Sequence, residues 1–169
     1  MSRDIQSVIS PIGRYRPIPW DQIPDLGLYM DQVVTFIARA YEPLYGSGEH
    51  GSLSPSMINN YVKSKLIPRP VGKKYSREQI ALLTMIIALK QTCSMEDIRR
   101  MLALADGGTA EALYEAFSLR FSHAIQSMCG EAGPIDAPSS ALDLAILACA
   151  YSAGCAAVLK YEANQVQPD

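Results

Sequence analysis

Sixteen consecutive residues, 144–159 (LAILACAYSAGCAAVL), carry no charge. A helix over them is apolar on every side and must be covered from all round. A lipid bilayer supplies such cover, and so does a helical bundle extended by a second subunit. A membrane span takes about 20 predominantly apolar residues. This run is shorter, is bounded by Asp143 and Lys160, and is built largely from Ala, Gly, Ser and Cys. Small side chains let helices approach closely. The expectation is therefore burial in the chain's own bundle and in a homodimer, with no membrane.

The rest of the chain also reads as helix. Between residues 25 and 41, Met30, Val33, Val34, Ile37, Ala38 and Tyr41 keep the spacing of one apolar stripe. Ser54-Pro55 is a helix start, with a capping hydroxyl and a proline that loses no needed hydrogen bond. Ser76 and Gln79 form a capping box before a helix running to about residue 91, apolar on several sides. Ser94 and Asp97 open a helix to residue 105, and Thr109 caps one over 109–128. Ser139 or Ser140 starts the last, over 139–162. Residues 45–51 hold three glycines and read as a loop. The fold class is all-α, with room for a small β wing. Residues 1–24 contain four prolines and no periodic pattern, which predicts an extended N-terminal arm that packs Trp20 onto the domain. Gly107-Gly108 breaks the chain into a domain over 25–106 and a C-terminal helical region over 107–169, for dimerisation or ligand sensing.

Charge is segregated. Lys63, Lys65, Arg69, Lys73, Lys74 and Arg77 are six of the 15 basic residues, and no Asp or Glu occurs from His50 through Arg77. The remaining chain has nine basic residues against 17 acidic ones. Local cations matter more to nucleic-acid affinity than the net charge of −2, because they meet phosphates directly. On a helical wheel Met57, Ile58, Tyr61 and Val62 share one face, while Ser56, Asn59, Asn60 and Lys63 share the other. Two prolines and Gly72 then argue for a basic loop or hairpin over 68–77.

Several short pieces recur in an order that resembles the DNA-binding domain of MerR-type regulators. They are Ile58-Asn59-Asn60-Tyr61, Leu66-Ile67, Lys74-Tyr75-Ser76, and Ser94-Met95-Glu96-Asp97-Ile98. From Leu28-Tyr29-Met30-Asp31-Gln32 to Leu102 the chain is more similar to a family of small bacterial proteins classed as domain of unknown function 1836, thought of as MerR-like DNA binders. The resemblance covers roughly residues 20–105. It implies a MerR-like winged helix-turn-helix followed by a C-terminal two-helix dimerisation part. Three features depart from the MerR pattern: about a dozen residues separate the first two helices, Lys65 stands where that pattern has glycine, and the wing is shorter.

Other chemistry finds little support. Cys93, Cys129, Cys149 and Cys155 form no C-x-x-C, and His50 and His123 lie far from them. No metal or other cofactor is expected, and the thiols read as small apolar groups, with a redox role for Cys149 or Cys155 as the alternative. No nucleophile motif, carboxylate pair or nucleotide loop appears, so no enzyme is expected. The N-terminus lacks the apolar run of a signal peptide, which predicts a cytoplasmic protein.

The functional expectation is a transcriptional regulator of double-stranded DNA. Its recognition helix, 55–64, places Asn59 and Asn60 at base edges, with Ser56 assisting at the groove or phosphate, and the wing over 68–77 lies on phosphates. Lys63, Lys65, Arg69, Lys73, Lys74, Tyr75 and Arg77 complete the predicted DNA-binding set. The alternative is a helical module for protein interaction or small-ligand sensing without DNA contact. An apolar effector among the C-terminal helices is compatible with either.

Overall fold

The computed structural model describes residues 5–45, 52–104 and 108–166. It is all-α. The helices are α1 (Ile5–Gly13), α2 (Met30–Tyr45), α3 (Pro55–Lys63), α4 (Arg77–Leu89), α5 (Met95–Leu104), α6 (Ala110–Met128) and α7 (Ala141–Val166), with a 3-10 turn at Trp20–Gln22. Among the described residues, β pairing is confined to two isolated antiparallel bridges, Leu28 with Tyr75 and Val71 with Lys74.

α4 is the centre of the bundle. No charge lies between Glu78 and Lys90, so the helix can be covered on all sides, and Ile80, Leu83, Met85, Ile86 and Leu89 are fully buried. α6 and α7 pair with each other and both pack on α4, and α1 crosses them. Residues on both sides of the Gly107-Gly108 break share one continuous core, from Ile9 to Ala153. Gly107 itself lies outside the described residues.

The N-terminal segment differs from its expected extended form. Of its four prolines only Pro11 falls within α1, and Ile9 and Ile12 are buried there. Tyr15 then stacks on Tyr41, ring centroids 6.1 Å apart, and meets Phe121 edge-on at 5.8 Å. Tertiary burial outweighs the local propensity that the prolines suggest. Trp20 packs against Tyr114, whose hydroxyl donates to the Ile18 carbonyl at 2.8 Å, so this strap is anchored on α6.

The first long helix begins at Met30 rather than near residue 25. Gly27 takes a φ of 74°, and the following Leu28 exchanges backbone hydrogen bonds with Tyr75 at 3.0 and 2.8 Å. That exchange commits the chain to an extended link before α2. The glycine-rich segment expected as a loop begins at Tyr45, which ends α2; residues 46–51 lie outside the described ones.

α7 meets the expectation of bundle cover on one side only. Ala145, Ile146, Cys149, Ala150 and Ala153 are buried. Gly154 approaches α6 so closely that a Cβ there would lie 2.6 Å from the Met128 sulfur. The opposite side faces solvent, with Leu144, Tyr151 and Leu159 each more than half exposed. The segment Ala141–Tyr161 is long and apolar enough to cross a membrane by length and composition. Its start is pinned by a polar knot. Asp143 accepts from the Ser139 amide and hydroxyl and from Arg120 at 2.8 Å, and its own amide donates to the Ser140 hydroxyl.

Candidate nucleic-acid interface

α3 starts where its caps predict. The Ser54 hydroxyl accepts from the Met57 amide at 3.3 Å, and Pro55 occupies the first helical position. The inward face carries Ile58 and Tyr61, both buried. The Tyr61 carbonyl receives the Leu66 amide at 2.9 Å and the Ile67 amide at 3.3 Å, which turns the chain sharply out of the helix. Leu66 and Ile67 are thereby driven into the core. With its apolar face locked down, α3 has one orientation available, and Ser56, Asn59, Asn60 and Lys63 are exposed on its outer side. The Ser56 hydroxyl shares a 2.9 Å hydrogen bond with that of Ser54.

The turn after α3 has an unusual backbone. Lys65 adopts a φ of 58°, in the left-handed region that favours glycine. Its neighbours Leu66 and Ile67 turn inward and are buried directly after this reversal of backbone hand. The side chain is left exposed. Lys63, Lys65 and Arg69 border one cavity with Arg99 of α5. Arg99 was not among the expected contacts. It pairs with Glu96 in its own helix and donates to the Ser64 carbonyl at 2.7 Å, tying α5 to the end of α3.

The expected wing is a four-residue turn. Lys74 donates its amide to the Val71 carbonyl at 3.0 Å, and the two central residues, Gly72 and Lys73, have φ of 58° and 62°. Positive φ at both central positions is the geometry of the tight turns that close hairpins. Val71, Gly72, Lys73 and Lys74 are all exposed. The Lys74 ammonium lies 5.3 Å from the centre of the Tyr29 ring, which seats this turn against the chain just before α2.

Two expected contact residues lie elsewhere. Tyr75 is 2% exposed; its backbone pairs with Leu28 and its ring is core, where burial raises its phenol above the ordinary range. Arg77 is held on three sides. Its Nε donates to the Ile23 carbonyl at 2.8 Å, its guanidinium pairs with Asp25 at 3.6 Å, and it lies 5.8 Å from the Trp20 ring centre. It fastens the N-terminal strap to α4, and its guanidinium is engaged there rather than held out with the exposed lysines. By contrast, among the described residues Lys63, Lys65, Arg69 and Lys73 have no ion-pair partner.

The cysteines divide by burial. Cys149 is fully buried, its sulfur donating to the Ala88 carbonyl at 3.1 Å, and burial pushes its thiol up to about 11. Cys129 donates to the Ile9 carbonyl and is also raised by burial. Such thiols hold little thiolate near neutrality and serve as packing groups. Cys155 is exposed. Among the described residues no three His, Cys, Asp or Glu side chains converge as a metal site needs.

No curated protein and no solved structure matches the chain. A family model does match, over residues 18–117, and its description is "Domain of unknown function (DUF1836)". That span takes in the strap, α2 to α5, the whole basic segment and the first turns of α6. It covers more than half of the chain, and the chain therefore belongs to the DUF1836 family.

Proposed function

We propose that this protein is a transcriptional regulator that binds double-stranded DNA as a homodimer. In this reading α2 and α3 are a MerR-like helix-turn-helix pair and the 71–74 turn is an abbreviated wing. The observation that carries it is the outer face of α3. Ser56, Asn59, Asn60 and Lys63 are exposed on a helix whose other face is pinned by Ile58 and Tyr61. A carboxamide can pair bidentately with adenine in the major groove. Lys63, Lys65, Arg69, Lys73 and Lys74 supply cations for phosphates, which set register and affinity but not sequence. Tyr75 and Arg77 take no part.

The uncovered side of α7 is assigned to the second copy. Leu144, Ala148, Tyr151, Cys155 and Leu159 form one exposed stripe, about 22 Å long at the rise of a helix. Large and small residues alternate along it in an order that reads alike in both directions. An antiparallel two-fold pairing thus sets Leu144 of one copy near Leu159 of the other, and Ala148 near Cys155. Such self-complementarity is what a two-fold interface requires.

The test is fluorescence anisotropy with labelled duplex DNA across a salt series. Wild type should bind with a steep salt dependence. Lys73→Glu/Lys74→Glu should lower the log–log slope by about 1.8, at roughly 0.9 for each lost phosphate contact. Light scattering should give a dimer for wild type and a monomer for Tyr151→Glu. A folded wild type that fails to bind DNA at low salt removes the DNA reading.

A further inference from the structure

A cavity of about 660 Å³ opens between the end of α3, the segment over 66–69, α4, α5 and the first turn of α6. Its walls are aliphatic: Val62, Leu66, Ile67, Leu82, Leu102 and Leu113. Its rim is cationic, formed by Lys63, Lys65, Arg69 and Arg99. The α6 end adds to this. Thr109 accepts from the Ala112 amide, while the Ala110 and Glu111 amides have no carbonyl within the helix to bond, so the positive end of the α6 dipole faces the same rim.

The chemistry of the lining selects a ligand class. The volume is that of a small-molecule site. Among the described lining residues there is no aromatic ring to stack a base, and no amide or carboxylate side chain to read a base edge or sugar hydroxyls. The single hydroxyl, Thr109, accepts the Ala112 amide, and its own proton is left to donate to an anionic head. Arg99 is largely committed to Glu96 and Ser64, which leaves Lys63, Lys65 and Arg69 as the cations of the rim without an ion-pair partner among the described residues. An aliphatic wall beneath a cationic rim fits an amphiphile with one anionic end.

We propose that this cavity binds an aliphatic chain bearing a terminal carboxylate or phosphate. The chain lies against Leu66, Leu82, Leu102 and Leu113, and the head sits between Lys65, Arg69 and the start of α6. One consequence rests on the DNA-binding reading: Lys63, Lys65 and Arg69 cannot serve the ligand head and phosphates at once, so a filled cavity weakens DNA binding. The ligand site itself does not depend on that reading.

Calorimetry on the full chain tests it, with octanoate, octyl phosphate and neutral 1-octanol as probes. At least one anion should bind about tenfold or more tighter than octanol, the worth of charge-assisted contacts; which anion is tighter identifies the head. Lys65→Gly/Arg69→Gln should erase the preference over octanol; glycine is the substitution that the φ of 58° tolerates. Ala103→Trp fills the cavity from an exposed position on α5 and should abolish binding of all three, with Ala110→Trp, on the α6 wall, used if that variant loses its helical circular dichroism. The proposal is overturned if octanol binds as tightly as both anions, if no probe binds wild type, or if a folded cavity-filling variant binds as before. Anisotropy run alongside separates the two claims. Anion binding without DNA binding retains the cavity and removes the regulator, whereas DNA binding with no anion uptake does the reverse.

Discussion

Tyr41 and Tyr45 stand one helical turn apart on α2, with ring centroids 5.9 Å apart, and the same substitution in each should move stability in opposite directions. The Tyr41 hydroxyl donates to the Thr84 carbonyl of α4 at 2.8 Å. The Tyr45 hydroxyl is buried and has no hydrogen-bond partner among the described residues. Burial keeps both phenols neutral at any physiological pH. Tyr41→Phe loses one hydrogen bond, whose net worth is about 1 kcal/mol; the Thr84 carbonyl keeps its place in the α4 ladder, so no acceptor is fully orphaned. Tyr45→Phe removes a hydroxyl that gave up water for nothing, a burden of about 1–3 kcal/mol, partly offset by lost packing contacts, so a gain of about 1 kcal/mol is expected. The two variants should then differ by about 2 kcal/mol, or roughly 4–8 °C in Tm for a domain of this size. Urea unfolding followed by circular dichroism reads this directly, provided the denaturant slope is unchanged. If both variants shift the midpoint in the same direction, the assignment of one satisfied and one orphaned hydroxyl is refuted.

Two further outcomes can be checked with the same assay. Asp143 is driven upward by burial but more strongly downward by Ser139, Arg120 and Ser140, so its carboxyl sits below the ordinary value when folded. Its contribution is therefore present above the unfolded pKa and lost as pH falls through the folded one. Asp143→Asn should cost about 1–2 kcal/mol at neutral pH, discounted for the half-exposed Arg120, and the two unfolding curves should converge on acidification below the usual carboxylate range. Lys65→Gly should leave stability unchanged or raise it by up to about 1 kcal/mol, since relief of left-handed strain competes with the extra freedom of unfolded glycine; a clear loss would mean that the Lys65 side chain makes a contact that matters.

The helix starts were legible because their signals are local. The Ser54 cap, the Ser76–Gln79 box and the Thr109 cap each act across three residues, and all three form. The outward face of α3 was legible for a related reason: period fixes which residues oppose Ile58 and Tyr61 once one side is known to be apolar. The membership in the DUF1836 family was also written in short ordered pieces of chain. α1 was not, because prolines weigh against a helix locally and its apolar residues find cover mainly on α6 and α7, about a hundred residues or more away, and on α2.

The interface residues divide along the same line. Chain order assembled six cations within one acid-free segment, and nothing local distinguishes Arg77 from Arg69. Arg77 is removed from the exposed set by Ile23 and Asp25, on a strap over fifty residues earlier. Tyr75 is removed by the core it enters beside Leu28. Arg99, an ordinary helix-surface residue by sequence, reaches the end of α3 because α5 folds back beneath it. Periodicity and capping depend on neighbours within a turn or two, so sequence by itself determined the capped helices α3, α4 and α6 and the polar face of α3, but neither α1 nor the start of α2. Which cations remain unpaired, and that three of them ring an aliphatic cavity, depends on contacts between segments far apart in the chain, and only the tertiary structure decided that.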